Sequence, residues 1–483
     1  MAPIPPGDAG PQNGPTTSEC QTAVPGARAA LVLLLLINLF NYIDRQVLAA
    51  VVPQIKHTFF GPQADPAETQ SIHAMLDWCQ EHLGFKPENA LIGVLSMAFM
   101  VVYMIGAPVF GKLAERWSRW ALIGIGVVLW SLASGASGLA PSLTFLGPGF
   151  LVLLATRCFV GVGEAAYGPV APTLISDFYP VKRRGQVLAW FYMAIPVGSA
   201  LGYVLGEQVA KSSIGDWGSG ALGIRAESWC WAFYLVVVPG LALGAWSFFM
   251  REPSRGQADQ AAVAPSAVRM RDYLVLLRTP SYVLCTLGMT AMTFAMGGIG
   301  FWMPYYLEHR PHVTGSPTTI FGILTVVAGL SATLLGGWVG DRLRPRFPGS
   351  YFLVSGAAML AGFPFMLATL ATPFPDGSGF PWIWAMIFMT CFCLFFNTGP
   401  SNTILANVTH PSIRAAGFAL NILVIHALGD VISPVIIGII SDRYSMDLAF
   451  QVVGAMFVLA AVFWFWGTRY LQRDTAAALH RLS

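Results

Sequence analysis

Long apolar stretches recur along the whole chain, and this feature most restricts what it can fold into. Six lie at about 29–55, 89–113, 120–140, 150–178, 184–210 and 229–250, and six more at about 280–307, 317–340, 350–372, 381–408, 413–441 and 447–470. Each is long enough to cross the ~30 Å hydrocarbon layer of a bilayer as a helix. The 483 residues are 55% hydrophobic and only 11% charged, whereas soluble domains run near a quarter charged. The expectation is an all-α membrane protein with twelve transmembrane helices in two sets of six. A net charge of +3 gives no reason to expect a nucleic-acid partner.

Charges inside such stretches point to function. Asn41-Tyr42-Ile43-Asp44-Arg45-Gln46 falls in the middle of the first. An acid or guanidinium at a helix centre costs roughly 2.5 to 3.5 kcal/mol to insert, so these residues usually face the protein interior or a wet cavity. Asp44 reads as a proton site; the plainer reading is a polar group that locks helices together. Asn38, Asn41 and Arg45 share a helical stripe with Asp44 and Tyr42 beside it, the layout of a cavity wall. In span four, Arg157 and Glu164 lie two turns, ~10.5 Å, apart on one face. The economical arrangement pairs Asp44 with Arg157 and Arg45 with Glu164. A carboxylate beside a guanidinium stays ionised until the guanidinium is taken by substrate or the site opens to low pH, and then it loads a proton. One proton crossing 100 mV supplies ~2.3 kcal/mol, enough for roughly a fifty-fold concentration ratio.

Basic residues in short loops mark the cytoplasmic side. Lys112, Arg116 and Arg119 follow span two, Lys182, Arg183 and Arg184 follow span four, and Arg251, Arg255, Arg269, Arg271 and Arg278 follow span six. Arg342, Arg344 and Arg346 follow span eight, Arg414 follows span ten, and Arg469, Arg473 and Arg481 lie in the tail, whereas the alternate loops hold only Lys56, Lys86, Lys211, Arg225, Arg310 and Arg443. Both termini are therefore expected inside a cell membrane, and compact loops with little Lys fit a bacterial inner membrane. The reading divides the chain into a disordered tail (1–28), a six-helix bundle (29–250), a linker (251–279), a second bundle (280–470) and a short tail (471–483). An extracytoplasmic insertion at 56–88 carries Ile72, Met75, Leu76, Cys79 and Leu83 at three- and four-residue steps, which predicts an amphipathic surface helix. The linker reads as flexible over residues 256–267 and helical over 268–277. The cysteines show no metal spacing, and Cys79 and Cys230 are the one pair that both fall near the outer surface, where a disulfide is an open possibility.

The chain also repeats itself. Gly111-Lys-Leu-Ala-Glu115-Arg116 after span two is echoed by Gly337-Trp-Val-Gly-Asp341-Arg342 after span eight, 341 − 115 = 226 residues on. Gly168-Pro169 is echoed by Gly399-Pro400, 399 − 168 = 231 residues on, and Pro180 by Pro411 at the same offset. One six-helix unit is used twice, and paired pseudo-symmetric halves with a site at midplane are how many secondary transporters are built.

The stretch GKLAERWSR resembles the loop signature of the major facilitator superfamily, with its second copy after span eight. NYIDR in span one, RCFVGVGEAAYGPVAPTLISDFYP in span four and FYMAIPVGSALGYVLG in span five resemble the Spinster family. The likeness is specific over about residues 29–210 and of superfamily grade after 280. Glu115 stands where the superfamily usually has Asp, Ser118 where it has Gly, and the 56–88 insertion is foreign to the family pattern. The resemblance implies a major facilitator fold and proton-linked movement of lysolipids or sphingolipids such as sphingosine phosphate. It also implies that Asp44 is the protonatable acid and Arg157 its partner or the ligand of an anionic head group. Tyr167, inside the span-four motif, joins Asn41, Tyr42, Arg45 and Arg157 as an expected substrate contact.

In the second half, His426 and Asp430 stand four apart in span eleven, as a second proton relay or as cavity lining, with Asn397, Asn402 and Asn421 as further polar groups. Gly297, Gly298, Gly300 and Pro304 before Tyr305 and Tyr306 predict a bend and an outer gate in span seven, or close helix packing. Met292, Phe294, Phe301 and Trp302 offer apolar surface for an acyl chain. Glu115, Arg116, Arg119, Asp177 and Arg184, with Gly111 at the head of the motif and Asp341 and Arg342 as counterparts, read as an ion-pair latch of the outward-open state. The favoured function is a monomeric proton-coupled lipid carrier amid membrane lipids; the alternatives are a proton-linked carrier of small anions such as sugar acids, or a multidrug efflux carrier. No cofactor is expected, and an enzyme would need a GxSxG, HExxH or Walker pattern, none of which occurs.

Overall fold

The computed structural model describes residues 23–61, 66–222, 226–255, 257–258, 270–374, 382–410 and 413–478. The tail before residue 23, most of the linker read as flexible and the last five residues lie outside the described residues. The first half contains α1 (Ala27–Ala50), α2 (Val52–Phe60), α3 (Pro66–Leu83), α4 (Glu88–Leu113), α5 (Arg119–Leu139), α6 (Gly149–Ala165), α7 (Ala171–Phe178), α8 (Val181–Ala210), α9 (Ile214–Leu222) and α10 (Ser228–Phe248). After α11 (Met270–Leu277) come α12 (Pro280–Glu308), α13 (Pro317–Leu343), α14 (Ser350–Ala371), α15 (Trp382–Phe396), α16 (Thr398–Val408), α17 (Arg414–Ile425), α18 (Ser433–Arg443), α19 (Met446–Gly467) and α20 (Leu471–Ala477).

Among the described residues, eleven helices are long and apolar enough to cross a membrane. Span four is the twelfth apolar stretch, divided into α6 of 17 residues and α7 of 8. Breaks fall where the backbone has local reasons to turn. Pro53 and Pro172 sit in the first turn of α2 and α7, where a missing N–H costs nothing. Span eleven is interrupted by a π-helical turn, His426–Asp430, just ahead of Pro434 in the first turn of α18. Span seven, read as a possible bend, is one continuous helix. Its glycines serve packing instead: a Cβ on Gly297 would stand 2.6 Å from the Cβ of Asp430.

Two faces of the bundle can be told apart. One, the basic face, carries α11, α20 and the arginine-rich loops; the other, the insertion face, carries α3 and α9. In the first half α1 packs on α8, α5 on α10, and α6 on both α4 and α5. In the second, α12 and α14 pack on α19, and α15 on α13 and α14. The halves meet mainly along α4 with α18 and α8 with α13, two interfaces related by the internal repeat.

The insertion forms the expected helix. Ile72, Leu76 and Cys79 of α3 are buried, while Met75 and Leu83 are exposed, so the apolar stripe is narrower than its spacing promised. Lys86 bonds Asp77 at 2.8 Å, and that hydrogen bond holds the Asp77 carboxyl below the ordinary carboxylate range. Cys79 and Cys230 are free thiols, each buried in its own packing, which corrects the possible disulfide.

Candidate functional site

A cavity of about 100 Å³ opens within the first half. Its wall is made by Asn38, Asn41, Tyr42 and Arg45 of α1, Tyr103 of α4, Glu164 of α6, Tyr167 and Gly168 in the break of span four, Pro172 of α7, and Phe191, Tyr192 and Ile195 of α8. The stripe read from α1 thus forms one side. The break in span four contributes the other: where the helix opens at residues 166–170, Tyr167 donates its hydroxyl to the Leu34 carbonyl at 2.7 Å and ties the turn to α1. Asn38 Nδ2 donates to the Phe191 carbonyl at 2.9 Å, fixing α8 against the same helix.

Arg45 and Glu164 form an ion pair in this wall. Arg45 Nε donates to Glu164 Oε2 at 2.8 Å and a second guanidinium nitrogen bonds the same oxygen. The guanidinium also lies 4.9 Å from the ring centres of Tyr42 and Phe99 and 5.3 Å from that of Tyr103. Such an aromatic surround favours a cation in a desolvated place. The Glu164 side chain is 1% exposed against 19% for Arg45, so the acid is sealed behind its cation.

Asp44 and Arg157 form a second pair at 3.7 Å, with both side chains 2% exposed. Ser134 of α5 donates to Asp44, Ser137 accepts from Arg157 at 3.0 Å, and the guanidinium lies 5.2 Å from the Phe233 ring centre. Neither residue lines the cavity. This corrects the expectation that Asp44 faces a wet chamber: successive helical residues are turned ~100° apart, so Arg45 enters the cavity while Asp44 points into the α5, α6 and α10 packing. Sequence reading did not single out Phe99, Tyr103, Ser134, Ser137 or Phe233. The serines carried a signal, as hydroxyls in an apolar run; the aromatic rings carried none.

In the second half, His426 Nδ1 meets the two Asp430 oxygens at 2.9 and 3.0 Å within the π-helical turn. Neither His426 nor Asp430 is among the residues that line the first-half cavity. The other expected contacts lie elsewhere. Met292, Phe294 and Phe301 are 6 to 7% exposed and Trp302 is fully buried, its indole N–H donated to the Pro434 carbonyl at 2.8 Å. These side chains pack the core of the second half instead of walling an open chamber. Tyr305 reaches back to the first half, where Lys56 Nζ lies 3.3 Å from its hydroxyl. Asn397 and Asn402 donate to carbonyls of their own segment, at 2.6 and 2.8 Å, and Asn421 donates to Thr286 at 3.0 Å.

At the basic face Arg119 ties α5, α7 and the start of the linker together. It bonds Asp177 of α7 at 2.5 Å and Glu252 at 2.8 Å, and it donates to the Pro253 carbonyl at 3.2 Å. Arg184 donates to the Ser176 and Tyr179 carbonyls at 2.6 and 3.3 Å, and Gly111 of α4 faces Pro169 in the break of span four. Asp341 accepts from Tyr351 at 2.7 Å within the second half, and the side chains of Glu115, Arg116 and Arg342 are exposed. These bonds brace each half by itself.

The Major Facilitator Superfamily model matches residues 34–429. Human protein spinster homolog 1 is 34% identical over 443 residues, covering 87% of this chain and 75% of the relative. Zebrafish protein spinster homolog 3 is 31% identical over 500 residues, covering 97% and 90%. Among solved structures, a bacterial homolog of the human lysosomal transporter Spinster, in an inward-facing unoccupied conformation, aligns with a TM-score of 0.77 at 21% identity over 94% of this chain and 99% of the other. A D-xylose-proton symporter aligns with a TM-score of 0.68 at 16% identity over 90% and 96%. Paired six-span halves, charge pairs buried inside the first of them and these relatives together identify the chain as a Spinster-type transporter of the major facilitator superfamily, a membrane carrier and not an enzyme.

Proposed function

We propose that this transporter is proton-coupled and moves an amphipathic lipid with an anionic head group, of the lysophospholipid or sphingosine-phosphate kind, by alternating access. The observation that carries the reading is the Arg45/Glu164 pair in the cavity wall. An anionic head group that takes Arg45 leaves Glu164 a buried carboxylate without its cation, and such a group binds a proton rather than stay charged. Anion and proton then enter together, and the site keeps its charge balance. Asp44 is the second acid of the coupling step, loaded when rocking of the halves changes what Arg157 faces. His426 and Asp430 complete the head-group site from the other half.

Taking the arginine-rich face as cytoplasmic puts both termini inside and the α3 insertion outside, in a cell membrane of the bacterial inner-membrane kind. Halves joined at the insertion face then correspond to an inward-facing carrier acting as a monomer. The basic-face cluster of Glu115, Arg116, Arg119, Asp177, Arg184, Asp341 and Arg342 is the seam that closes in the opposite state.

A second reading rests on cavity size. About 100 Å³ lined by the amides of Asn38 and Asn41, the Arg45/Glu164 pair and a wall of tyrosines with Pro172, Phe191 and Ile195 holds a head group without its chain, and it suits a small carboxylate equally well. The test is flux into proteoliposomes under an imposed pH gradient, with lysolipid, sphingosine phosphate and glucuronate compared. The lipid substrates should move faster with the gradient, and Asp44→Asn should lose the gradient-driven accumulation, which one proton crossing 100 mV supports up to roughly fifty-fold. Glucuronate moving alone would establish the second reading, and full proton-driven flux in Asp44→Asn would overturn the coupling assignment.

A further inference from the structure

At the insertion face the two halves are held by one device used twice. Glu207, near the end of α8 and 1% exposed, accepts the backbone N–H groups of Thr318 at 3.3 Å and Thr319 at 2.6 Å in the first turn of α13. Asp442, near the end of α18, accepts those of Asn89 at 3.0 Å and Ala90 at 2.8 Å in the first turn of α4. In both cases the donors are the second and third residues of the capped helix. The offsets, 442 − 207 = 235 and 318 − 89 = 229, keep the register of the internal repeat.

The first N–H groups of any helix lack partners within it, and a side chain at the N-cap usually supplies one. Here it does not. The N-cap residues Ser316 of α13 and Pro87 of α4 make no side-chain cap bond. Each helix takes its cap from the opposite half, and a carboxylate is the acceptor that the positive end of a helix dipole favours most. Lys211 holds the capping Glu207 itself at 2.7 Å, whereas on the other side Lys56 donates at 2.9 Å to the side chain of Asn89, one of the two residues that Asp442 caps.

We propose that Glu207 and Asp442 select the state of the carrier: they are paired caps that keep the insertion face shut and that α13 and α4 must both give up for it to open. The inference rests on the alternating-access reading. In the open state both helices lose their acceptors to water, so the caps bias the equilibrium toward closure by their differential contacts.

Spin labels at Ser213 and Tyr444 report the insertion face, and labels at Lys112 and Arg346 the basic face; all four positions are exposed. Distances are read by double electron–electron resonance on the full chain in nanodiscs, with no substrate and no gradient. Glu207→Gln and Asp442→Asn should each raise the ratio of insertion-face-open to closed molecules roughly tenfold, and the double variant by about the product. Gln208→Ala removes side-chain bonds to Ser316 at 3.0 Å and Thr319 at 3.2 Å in the same seam but leaves the cap, and it should barely move the ratio. Wild-type distances in monodisperse neutral variants, or an equal shift in Gln208→Ala, would overturn the proposal. If a neutral variant does not fold, Glu207→Asp, which draws the carboxylate back by one methylene, must shift the ratio in the same direction, and no shift refutes it. Because neither proton nor substrate is supplied, failure here leaves the coupling proposal standing, and failure of the flux assay leaves these distances unchanged.

Discussion

Arg45 shows how much a single side chain settles in a desolvated place. Its planar guanidinium meets Glu164 through two nitrogens while three aromatic rings surround it. Lysine offers a point charge with neither fork nor plane, so Arg45→Lys keeps the formal charge and loses the geometry. Arg45→Lys should fold as the wild type does and lower the initial rate of gradient-driven uptake by about tenfold or more, comparable to one lost charge-assisted hydrogen bond. A wild-type rate in proteoliposomes would show that charge alone suffices. The partnership of Arg45 with Glu164 was legible in the residues, because four charges in two apolar spans must find one another. Which of the two acids meets the cavity was not, since that depends on how α1 is rotated against α5 and α6.

At the scale of elements, breaks and glycines trade roles with what spacing led one to expect. Glycines and a proline in α12 read as a bend, yet the helix is continuous and the interruption lies in its neighbour, at the π-helical turn His426–Asp430. The two facts share a cause. A π turn carries an extra residue and swells the helix locally, and Gly297 gives Asp430 the space to come close. Gly297→Val should therefore overpack this contact and cost about 1 to 3 kcal/mol, seen as a lower unfolding temperature in detergent, whereas Gly337→Ala, with open space around it, should leave that temperature unchanged. The α3 helix was readable from its apolar period, but its partner on α2 was not, because a stripe names a buried face without naming what buries it.

For the whole molecule, the internal repeat organises the packing and, through it, the proposed motion. Two copies of one unit give two equivalent interfaces, α4 with α18 and α8 with α13, and the proposed rocking movement would open both together at one face. The proposed sidedness of that movement rests on loop charge. A cysteine replacing exposed Asp77 in α3 should react with a membrane-impermeant maleimide added to intact cells, and one replacing Arg473 in α20 should react only after lysis. The reverse pattern would invert the proposed orientation and with it the assignment of the inward-facing state.

Run length, loop charge and repetition by themselves determined an all-helical membrane carrier built from doubled six-span halves, because the bilayer penalises every unpaired backbone group and every exposed charge and so leaves a composition of this kind one solution. They also brought the four charged residues of spans one and four into two pairs. Tertiary structure alone decided that Glu164, and not Asp44, stands at the cavity, that Trp302 and Phe294 are core, that Cys79 and Cys230 stay apart, and that the halves cap each other's helices at the insertion face. Each of these turns on helix rotation and on contacts between residues hundreds of positions apart, and no local pattern along a chain encodes the angle at which two helices meet.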